Sequence, residues 1–482
     1  MTRPLLRDLC AAAAAALLVL AAVLVGRHIQ LAHHTLFVHW PPLFADWDPH
    51  VGPGTSAAVL VAVAMVAYGP LLAVRLPWRA LLATAWGTAM AWTWSLALVD
   101  GWHQGVAIRL TTTNEYLRVI DRFHDIPATL RDFTHHIVAG SPAPWPAHIA
   151  GHPPAATLTF VLLDRVGLRG GGWAGAWCIT VGATACVAVL VTVRVLAGER
   201  LARRAAPFLV LAPAAVWVGA SADGYFAAVA AWSVALLALA VTGRAGFGLR
   251  GTAAFGSGLL FGLTCYLSYG LTLFALIAAG VLLLGRGGPG RPESPQRPRS
   301  ACTRSDARTG RHAARVLPFL LAGLAVVPLL FTLAGFDWWE AYRLLVTRYY
   351  QGVGGTRPYG YWVWANLACT VLIVGLATAA GLQRAGRALV RERADVRARP
   401  VTAPAGDGPA AEVRLALLVC CALLALLVAD LSGMSKAETE RIWLPFAMWL
   451  LPACAFLTHP RVWLTAQAVL ALLLNHLLLT GW

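Results

Sequence analysis

Residues 205–242 read AAPFLVLAPAAVWVGASADGYFAAVAAWSVALLALAVT, and this stretch decides the fold. It contains two apolar runs, 205–220 and 224–242, and its single charged side chain is Asp223, which lies between them. Apolar runs of about 17 to 25 residues are long enough to cross the hydrocarbon core of a bilayer as helices. The stretch therefore predicts two membrane-spanning helices joined by a short polar turn.

The rest of the chain has the same apolar character. Of its 482 residues, 59% are hydrophobic and 12% are charged, whereas about a quarter of the residues of soluble domains are charged. Soluble enzymes are excluded, and nine cysteines are too sparse for a disulfide scaffold. We predict an all-α polytopic membrane protein of about thirteen transmembrane helices with outer-face juxtamembrane helices. The predicted spans are 9–26, 57–74, 80–99, 173–193, 205–220, 224–242, 252–267, 269–285, 316–335, 362–381, 415–430, 443–458 and 463–480.

The distribution of basic residues sets the predicted orientation. Cytoplasmic loops carry an excess of Arg and Lys, so the end that bears Arg3 and Arg7 is placed inside, and most of the 38 basic residues then fall inside. This explains the net charge of +16 without a nucleic-acid partner. The assignment requires that 153–168 does not cross the membrane, and we predict a helix on the outer surface there.

The predicted spans and loops divide the chain into four parts. They are an N-terminal helix hairpin with an outer loop (1–79), a core (80–285) with the outer loop 100–154, a basic cytoplasmic linker (286–315), and a C-terminal transmembrane region (316–482) with outer loops 335–361 and 430–441. The linker and a second inner stretch, 382–414, are rich in Arg, Pro and Gly, which predicts disordered basic tethers. The first helix is expected to be retained, because no small-residue cleavage site follows it.

The long outer loop carries acids, histidines and aromatic residues. Between Asn114 and Ile137, apolar residues recur near helical spacing beside charged ones, which predicts an amphipathic helix lying flat on the bilayer. The sequence Gly151-His152-Pro153-Pro154 then ends this region and begins a new helix, since proline is tolerated in a first helical turn. A polar outer cavity roofed by surface helices is expected.

The order of these elements resembles the C-type glycosyltransferase (GT-C) superfamily of integral membrane enzymes. The shared features are an outer loop with an acidic residue before an aromatic one, a surface helix, the HPP sequence that opens an apolar helix, and APAAVWVGASADGYFAAV at 212–229. The nearer relatives are the protein O-mannosyltransferases and the lipid A aminoarabinose transferases. The resemblance implies a GT-C-like fold with its catalytic core in 80–285. It also implies inverting transfer of a hexosyl or pentosyl group from a polyprenyl-phosphate donor to a glycan, lipid or protein acceptor at the outer face of the plasma membrane.

The resemblance points to Glu115 as the catalytic base, because Asn114-Glu115 stands where the family carries an acidic pair. Displacement at an anomeric carbon needs a carboxylate within hydrogen-bond reach of the acceptor's proton. Asp121 and Asp125 follow at short helical distances and are the alternatives. A solvated charge on a surface helix is the other interpretation of Glu115.

A phosphate leaving group needs a cation or a metal ion to meet its developing charge. The outer candidates for substrate binding are Arg343, Arg348, Arg357, Lys436 and Arg441. Arg441 is the preferred phosphate ligand because it stands at the entrance of a span. Alternatively, it pairs with Glu438 or Glu440 and only anchors its helix at the interface.

Two further polar residues are candidates for substrate binding. His152 could hydrogen-bond the donor phosphate or the base, and Asp223 could orient a sugar, because an ionisable group at the end of a span is costly unless it is used. Asp223 could instead cap the helix that begins at Gly224. The aromatic residues of loop 335–361 could stack on a sugar, although an interfacial aromatic belt is the ordinary explanation.

No cofactor is expected with certainty. A divalent metal is conceivable because His148 and His152 are four residues apart, but Pro153 and Pro154 disfavour a regular helix there. No phosphate loop, HExxH, GxSxG or CxxC motif is present. One alternative to a transferase is a transporter or lipid flippase that uses the same cavity without chemistry. The other is a relative that has lost catalysis, which Asn114 would indicate because it stands where the family carries an acid.

Overall fold

The computed structural model describes residues 3–242, 246–286, 300–398 and 407–481. Helices account for nearly all of the regular structure in these ranges, which confirms the predicted all-α class. The helices of the first half are α1 (Arg3–His33), α2 (Thr55–Arg75), α3 (Trp78–Ala97), α4 (Ile126–Asp132), α5 (Ala147–Gly151), α6 (Ala155–Arg165), α7 (Gly171–Gly182), α8 (Ala185–Ala197), α9 (Glu199–Val210), α10 (Ala215–Val218) and α11 (Ala222–Val241).

The second half continues in the same way. Its helices are α12 (Phe247–Leu267), α13 (Phe274–Arg286), α14 (Ser300–Leu333), α15 (Trp338–Gln351), α16 (Val353–Thr356), α17 (Tyr359–Val374), α18 (Leu376–Ala398), α19 (Asp407–Leu431), α20 (Thr439–Ile442), α21 (Leu444–Ala447) and α22 (Pro460–Leu477). Short 3-10 turns lie at Leu98–Asp100, Arg109–Thr111, Tyr116–Phe123, Phe133–His136, Tyr269–Leu273 and Leu451–Phe456, and a π turn lies at His103–Ala107.

The chain is a multi-pass membrane protein. Six helical segments in the described ranges are long and apolar enough to cross a bilayer: Arg3–His33, Thr55–Arg75, Gly171–Ala197, Ala222–Val241, Arg315–Leu333 and Ala410–Leu431. The consecutive helices α17 and α18 meet at 105° and together form a possible broken seventh span. The bend lies at Gly375, whose φ of +80° is open to glycine but strained for other residues.

Two of the thirteen predicted spans are interrupted by proline. The segment 205–220 is divided between α9 and α10, and Pro213 lies in the turn between them. The segment 443–458 is divided between α21 and the 3-10 turn Leu451–Phe456, and Pro445 and Pro452 are their second residues. Proline lacks the backbone N–H and disfavours helical geometry in the residue before it, so the apolar runs do not continue as single helices.

Helix α11 lies at the centre of the bundle. It packs against α7, α8, α12 and α13, and nearly all of its side chains are buried. Its many alanines allow close helix packing, and a helix that is apolar on all sides belongs in an interior. The N-terminal end of α11 lies beside the loops, so its first polar residues, Ser221 and Asp223, meet side chains from those loops.

The long outer loop differs from its prediction. The expected helix over 114–137 is divided into the 3-10 turn Tyr116–Phe123, α4 and the 3-10 turn Phe133–His136. Asp125 caps α4 and Pro127 occupies its first turn, so a new helix begins there. The apolar side chains Tyr116 and Phe123 are buried, and their turn packs against α6 rather than facing a bilayer.

Helix α6 begins directly after His152-Pro153-Pro154, as predicted. Its 11 residues span about 16 Å at 1.5 Å per residue, well short of the roughly 30 Å hydrocarbon core. The requirement that 153–168 does not cross the membrane is therefore compatible with the helix found there.

Two features of the fold lie outside the predicted set. The first outer loop and the C-terminal end form antiparallel strands β1 (Ala45–Trp47) and β2 (Leu478–Thr480). The stretches predicted to be tethers are helical where the structure describes them, because α14 begins at Ser300 and α18 continues to Ala398. Residues 287–299 and 399–406 of those tethers lie outside the described residues.

Candidate active site

Four segments of the chain meet at the N-terminal end of α11. They are the loop before the 3-10 turn at Tyr116, the helix α5 that precedes the HPP sequence, the start of α11, and α20 with its preceding loop. Together they enclose five polar side chains that are all largely buried: Glu115, His148, Asp223, Glu438 and Arg441. We call these five residues the charged cluster.

Glu115 contacts His148 within the cluster. Oε1 of Glu115 lies 2.8 Å from Nδ1 of His148, and Nε2 of the same ring lies 3.0 Å from Nη2 of Arg441. A guanidinium can only donate hydrogen bonds, so Nε2 of His148 accepts and the ring proton resides on Nδ1, facing the carboxylate. His148 therefore lies between Glu115 and Arg441 and contacts both.

Arg441 joins the remaining members of the cluster. Its Nη1 donates to Oδ2 of Asp223 at 2.8 Å, and its Nη2 donates to Oε2 of Glu438 at 3.1 Å. Burial lowers the pKa of a guanidinium, but the carboxylates of Asp223, Glu438 and Glu115 outweigh this effect and raise the pKa of Arg441. Arg441 is thus a permanently charged centre among three acids.

The electrostatics of the cluster keep Glu115 ionised. Burial by itself raises the pKa of a carboxyl group. The contact with His148 and the positive charge of Arg441 outweigh burial, so the pKa of Glu115 is below its usual value. A buried carboxylate that stays ionised and is held by one oxygen meets the requirements for a general base.

The structure shows which partners Asp223 and Arg441 have. The N-cap of α11 is Ser221, whose hydroxyl accepts from the backbone N–H of Asp223, so the carboxylate of Asp223 is used in the pair with Arg441. Arg441 does pair with Glu438, but Glu440 points elsewhere and accepts the backbone N–H of Phe44 at 2.9 Å. Glu115, Asp223 and Arg441, which the sequence offered as separate candidates, therefore lie together in the charged cluster.

His152 lies next to the cluster without contacting Glu115. Its Nδ1 lies 2.7 Å from the carbonyl oxygen of His148, and its ring packs between those of Tyr116 and Phe226. Burial lowers the pKa of His152 to about 4, so the ring is neutral at physiological pH. These contacts give His152 a supporting role behind His148.

The two alternative bases lie on the surface. Asp121 and Asp125 are exposed, and the carboxylate of Asp125 accepts the backbone N–H of Ala128 as the N-cap of α4. Their short sequence distance from Glu115 does not bring them to the cluster, because the chain turns into the 3-10 segment that buries Tyr116. Asp125 is accounted for by capping.

The other predicted cations serve mainly to connect loops. Arg357 donates to the carbonyl oxygens of Leu36 and Lys436, and Lys436 donates to that of Gly354. Arg348 lies 3.5 Å from the carbonyl oxygen of Trp145, whereas Arg343 is exposed. Of the five predicted phosphate ligands, Arg441 lies inside the charged cluster. Arg357 lies at its edge, where its Nη1 is 3.6 Å from Oε1 of Glu438.

Sequence reasoning missed Arg109 and Tyr116. Both line a small cavity with members of the charged cluster; the lining residues are Arg109, Leu110, Glu115, Tyr116, Ala220, Ser221, Ala222 and Arg441. Arg109 is held by Asp100 (2.7 Å) and by the carbonyl oxygen of Thr480 (2.8 Å). Under the predicted topology Arg109 falls on the outer side, where the positive-inside rule disfavours arginine, and this signal could have identified it from the sequence.

A metal site is not formed in the described part of the chain. No three His, Cys, Asp or Glu side chains among the described residues are placed to hold a metal ion. His148 and His152, which the sequence suggested as a pair, lie with ring centroids 6.5 Å apart, and the ring nitrogens of His148 face Glu115 and Arg441.

Comparisons with known proteins give matches among solved structures. No protein-family model matches the chain, and no curated protein matches it. One match is an Archaeoglobus fulgidus oligosaccharyltransferase tethered to an acceptor peptide. The match covers 82% of this chain and 55% of the oligosaccharyltransferase chain, with 12% identity and a TM-score of 0.44. The same organism's AglB, in complex with an inhibitory peptide and a dolichol-phosphate, matches 78% and 49%, with 13% identity and a TM-score of 0.43.

ArnT from Cupriavidus metallidurans also matches, over 72% of each chain with 13% identity and a TM-score of 0.28. The chain spans about half the length of the archaeal enzymes it matches. These solved structures are C-type glycosyltransferases, the superfamily that the sequence motifs resemble.

Proposed function

We propose that this protein is a membrane glycosyltransferase that moves a sugar from a polyprenyl-phosphate donor to an acceptor of the cell envelope. The observation that carries the proposal is the buried contact between Glu115 and His148, 2.8 Å long, beside the pair of Arg441 and Asp223. It places an oriented carboxylate and a permanent cation at the walls of one cavity.

Glu115 acts as the general base. Its Oε1 is held by His148, whereas its Oε2 makes no hydrogen bond with any described residue. The free oxygen accepts the proton of the acceptor as the acceptor attacks the anomeric carbon. General base catalysis of this kind contributes about 10² to 10⁴ in rate.

Arg441 faces the negative charge that develops on the departing phosphate. Preorganised cations stabilise such charge strongly, because a buried site does not need to reorganise solvent during the reaction. Asp223 and Glu438 hold the guanidinium in position through its two Nη atoms. Asp223 is therefore a positioning residue for Arg441 in this mechanism.

The site works at the outer face of the plasma membrane, with the N-terminus of the chain in the cytoplasm. This orientation puts the arginine-rich inner loops on the cytoplasmic side and the charged cluster on the other. A lipid-linked donor needs its phosphate at the interface while its tail stays in hydrocarbon, and the cluster lies beside the first turn of α11, which is long and apolar enough to span.

The test is sugar release and transfer by the purified protein in nanodiscs, supplied with a panel of radiolabelled polyprenyl-phosphate sugars. We expect Glu115→Gln to reduce turnover by about 10² or more, while binding of the donor is retained. Asp121→Asn, an exposed carboxylate six positions along the chain, is the matched control and should behave like the wild type. Donor binding without release of sugar from any donor by the wild-type protein would refute the proposal in favour of transport or lost activity.

A further inference from the structure

The cavity beside Glu115 is lined by residues with polar atoms that lack hydrogen-bond partners. Three of its lining residues keep a buried atom without a hydrogen bond to any described residue: Oε2 of Glu115, Nε of Arg109 and the hydroxyl of Tyr116. A buried polar group without a partner costs about 1 to 3 kcal/mol. Three around one cavity indicate a ligand that satisfies them together.

The size of the cavity limits what can enter. Its free volume is about 10 Å³, close to the space that a single water molecule needs. The cavity is too small to enclose a phosphate group with four oxygens, so the donor phosphate that Arg441 faces in the proposed mechanism must lie outside it. Arg109, the other cation at its walls, already pairs with Asp100. The cavity suits one neutral oxygen atom.

Arg109 is fixed so that only its Nε remains available. Nη1 donates to the carbonyl oxygen of Thr480 and Nη2 to Asp100, and Asp100 is held in turn by His50 at 2.8 Å. The anchoring strand β2 is itself paired with β1. The unused N–H is therefore a rigid donor that requires a lone pair from whatever occupies the cavity.

We propose that this cavity receives the attacking oxygen, and that the acceptor is consequently a hydroxyl group and not an amine. This inference rests on the proposed function. A hydroxyl has one proton and two lone pairs. The proton goes to Glu115, one lone pair accepts from Nε of Arg109, and the other accepts from the hydroxyl of Tyr116 until it attacks the anomeric carbon. An ammonium has no lone pair, and a neutral amine has one, which attack consumes.

The atoms of the step balance. The acceptor oxygen forms a bond to the anomeric carbon, and the bond from that carbon to the phosphate oxygen breaks with its electron pair on the phosphate. The hydroxyl proton transfers to Oε2 of Glu115. Water offers the same chemistry as an alcohol, and with water the products are free sugar and polyprenyl phosphate.

Ethanolamine is the probe that separates oxygen from nitrogen, because it carries both groups in one molecule. The wild-type protein in nanodiscs is given a labelled donor and ethanolamine at a pH at which part of the amine is neutral. We expect O-linked product, which keeps a reactive primary amine, together with free sugar from water. N-linked product in excess would overturn the hydroxyl inference while leaving the transferase function standing. Failure to release sugar to any acceptor or to water would instead count against the proposed function.

Two variants test the residues of the cavity. Arg109→Lys removes Nε, and Tyr116→Phe removes only the hydroxyl while the ring keeps its stacking on Phe160, 5.3 Å away. Each should lower O-transfer roughly tenfold with donor binding unchanged. The control for Arg109→Lys is the same change at the exposed Arg118. If Arg109→Lys does not fold, Tyr116→Phe decides alone, and O-transfer at the wild-type rate in it would overturn the assignment.

Discussion

Two contacts between a histidine and a carboxylate in the same outer loop have nearly the same length and opposite surroundings. His148 lies 2.8 Å from Glu115, with side chains 12% and 7% exposed. His135 lies 2.7 Å from Asp132, with side chains 72% and 57% exposed. The two pairs cannot be told apart by residue type or distance, so burial is the difference between them.

Burial changes what such a pair can do. Water screens the exposed pair of His135 and Asp132, and pairs of this kind add little to stability. The buried pair has lost its water, so its charges depend on Arg441 and its neighbours, and breaking one partner leaves an uncompensated charge. The site is thus identified by desolvation together with connected partners, and acidic residues alone do not identify it.

The largest expected effect is the loss of Arg441. Arg441→Gln leaves Asp223 buried without its cation and leaves Glu438 with Arg357 alone, at 3.6 Å. Removing one partner of a buried pair costs about 3 to 5 kcal/mol. Thermal unfolding in detergent measures this. The same change at the exposed Arg343 should alter stability by less than about 0.5 kcal/mol. Equal losses of stability in Arg441→Gln and Arg343→Gln would show that burial does not make the charge of Arg441 more important than an exposed charge.

The second effect concerns His148 and the pH dependence of turnover. His148→Gln removes a contact that lowers the pKa of Glu115, while burial, which raises that pKa, remains. The acidic limb of the profile of kcat/KM against pH should therefore move to higher pH, and activity near neutrality should fall roughly tenfold.

The matched control for His148→Gln is His135→Gln, which disrupts the exposed pair with Asp132. It should leave both the rate and the acidic limb where the wild type has them. An unmoved limb in His148→Gln, with the protein folded, would mean that His148 does not set the ionisation of Glu115.

The smallest effect comes from Glu440, a buried carboxyl group outside the spans whose pKa burial raises to about 7 from an ordinary value of 4.5. Its neighbour Glu438, which contacts Arg441, has a lowered pKa instead. A raised pKa means that the folded state binds the proton more tightly than the unfolded state. The stability from Glu440 is therefore complete below pH 4.5 and is lost as pH rises through about 7.

Glu440→Gln keeps an acceptor for the backbone N–H of Phe44 and removes the titration. The loss of stability between about pH 4.5 and 7, which is at most about 1.4 kcal/mol per pH unit for one proton, should become smaller in this variant. Unfolding midpoints across that range measure it, with Asp121→Asn as the exposed control. An unchanged slope would contradict the assignment of a neutral buried Glu440.

Several features of the site could be predicted from local sequence. Asp223 is a candidate because an ionisable group at the end of a span is costly unless it is used, and Arg441 because it stands at the entrance of a span. Glu115 is a candidate through the resemblance to the GT-C superfamily. The start of α6 after the HPP sequence was predicted because proline permits a helix to begin but not to continue. These inferences depend on neighbours within a few residues.

Other features could not be predicted in this way. Arg109 and the backbone of Thr480 are 371 positions apart, and Glu440 meets the backbone of Phe44 across 396 positions. Contacts at such separations depend on how the helices pack, which no periodicity encodes. The exposure of Asp121 and Asp125 was missed for the same reason, since the turn that buries Tyr116 is stabilised by α6.

The sequence by itself determined that the chain lies in a membrane, because apolar runs of spanning length have no other stable environment. It also determined which polar residues stand at the ends of those runs. Only the tertiary structure decided which of them share one desolvated site, since burial and charge compensation depend on side chains from distant segments. Glu115 and Asp132 are both acids of one loop, and packing alone buried the first and left the second on the surface.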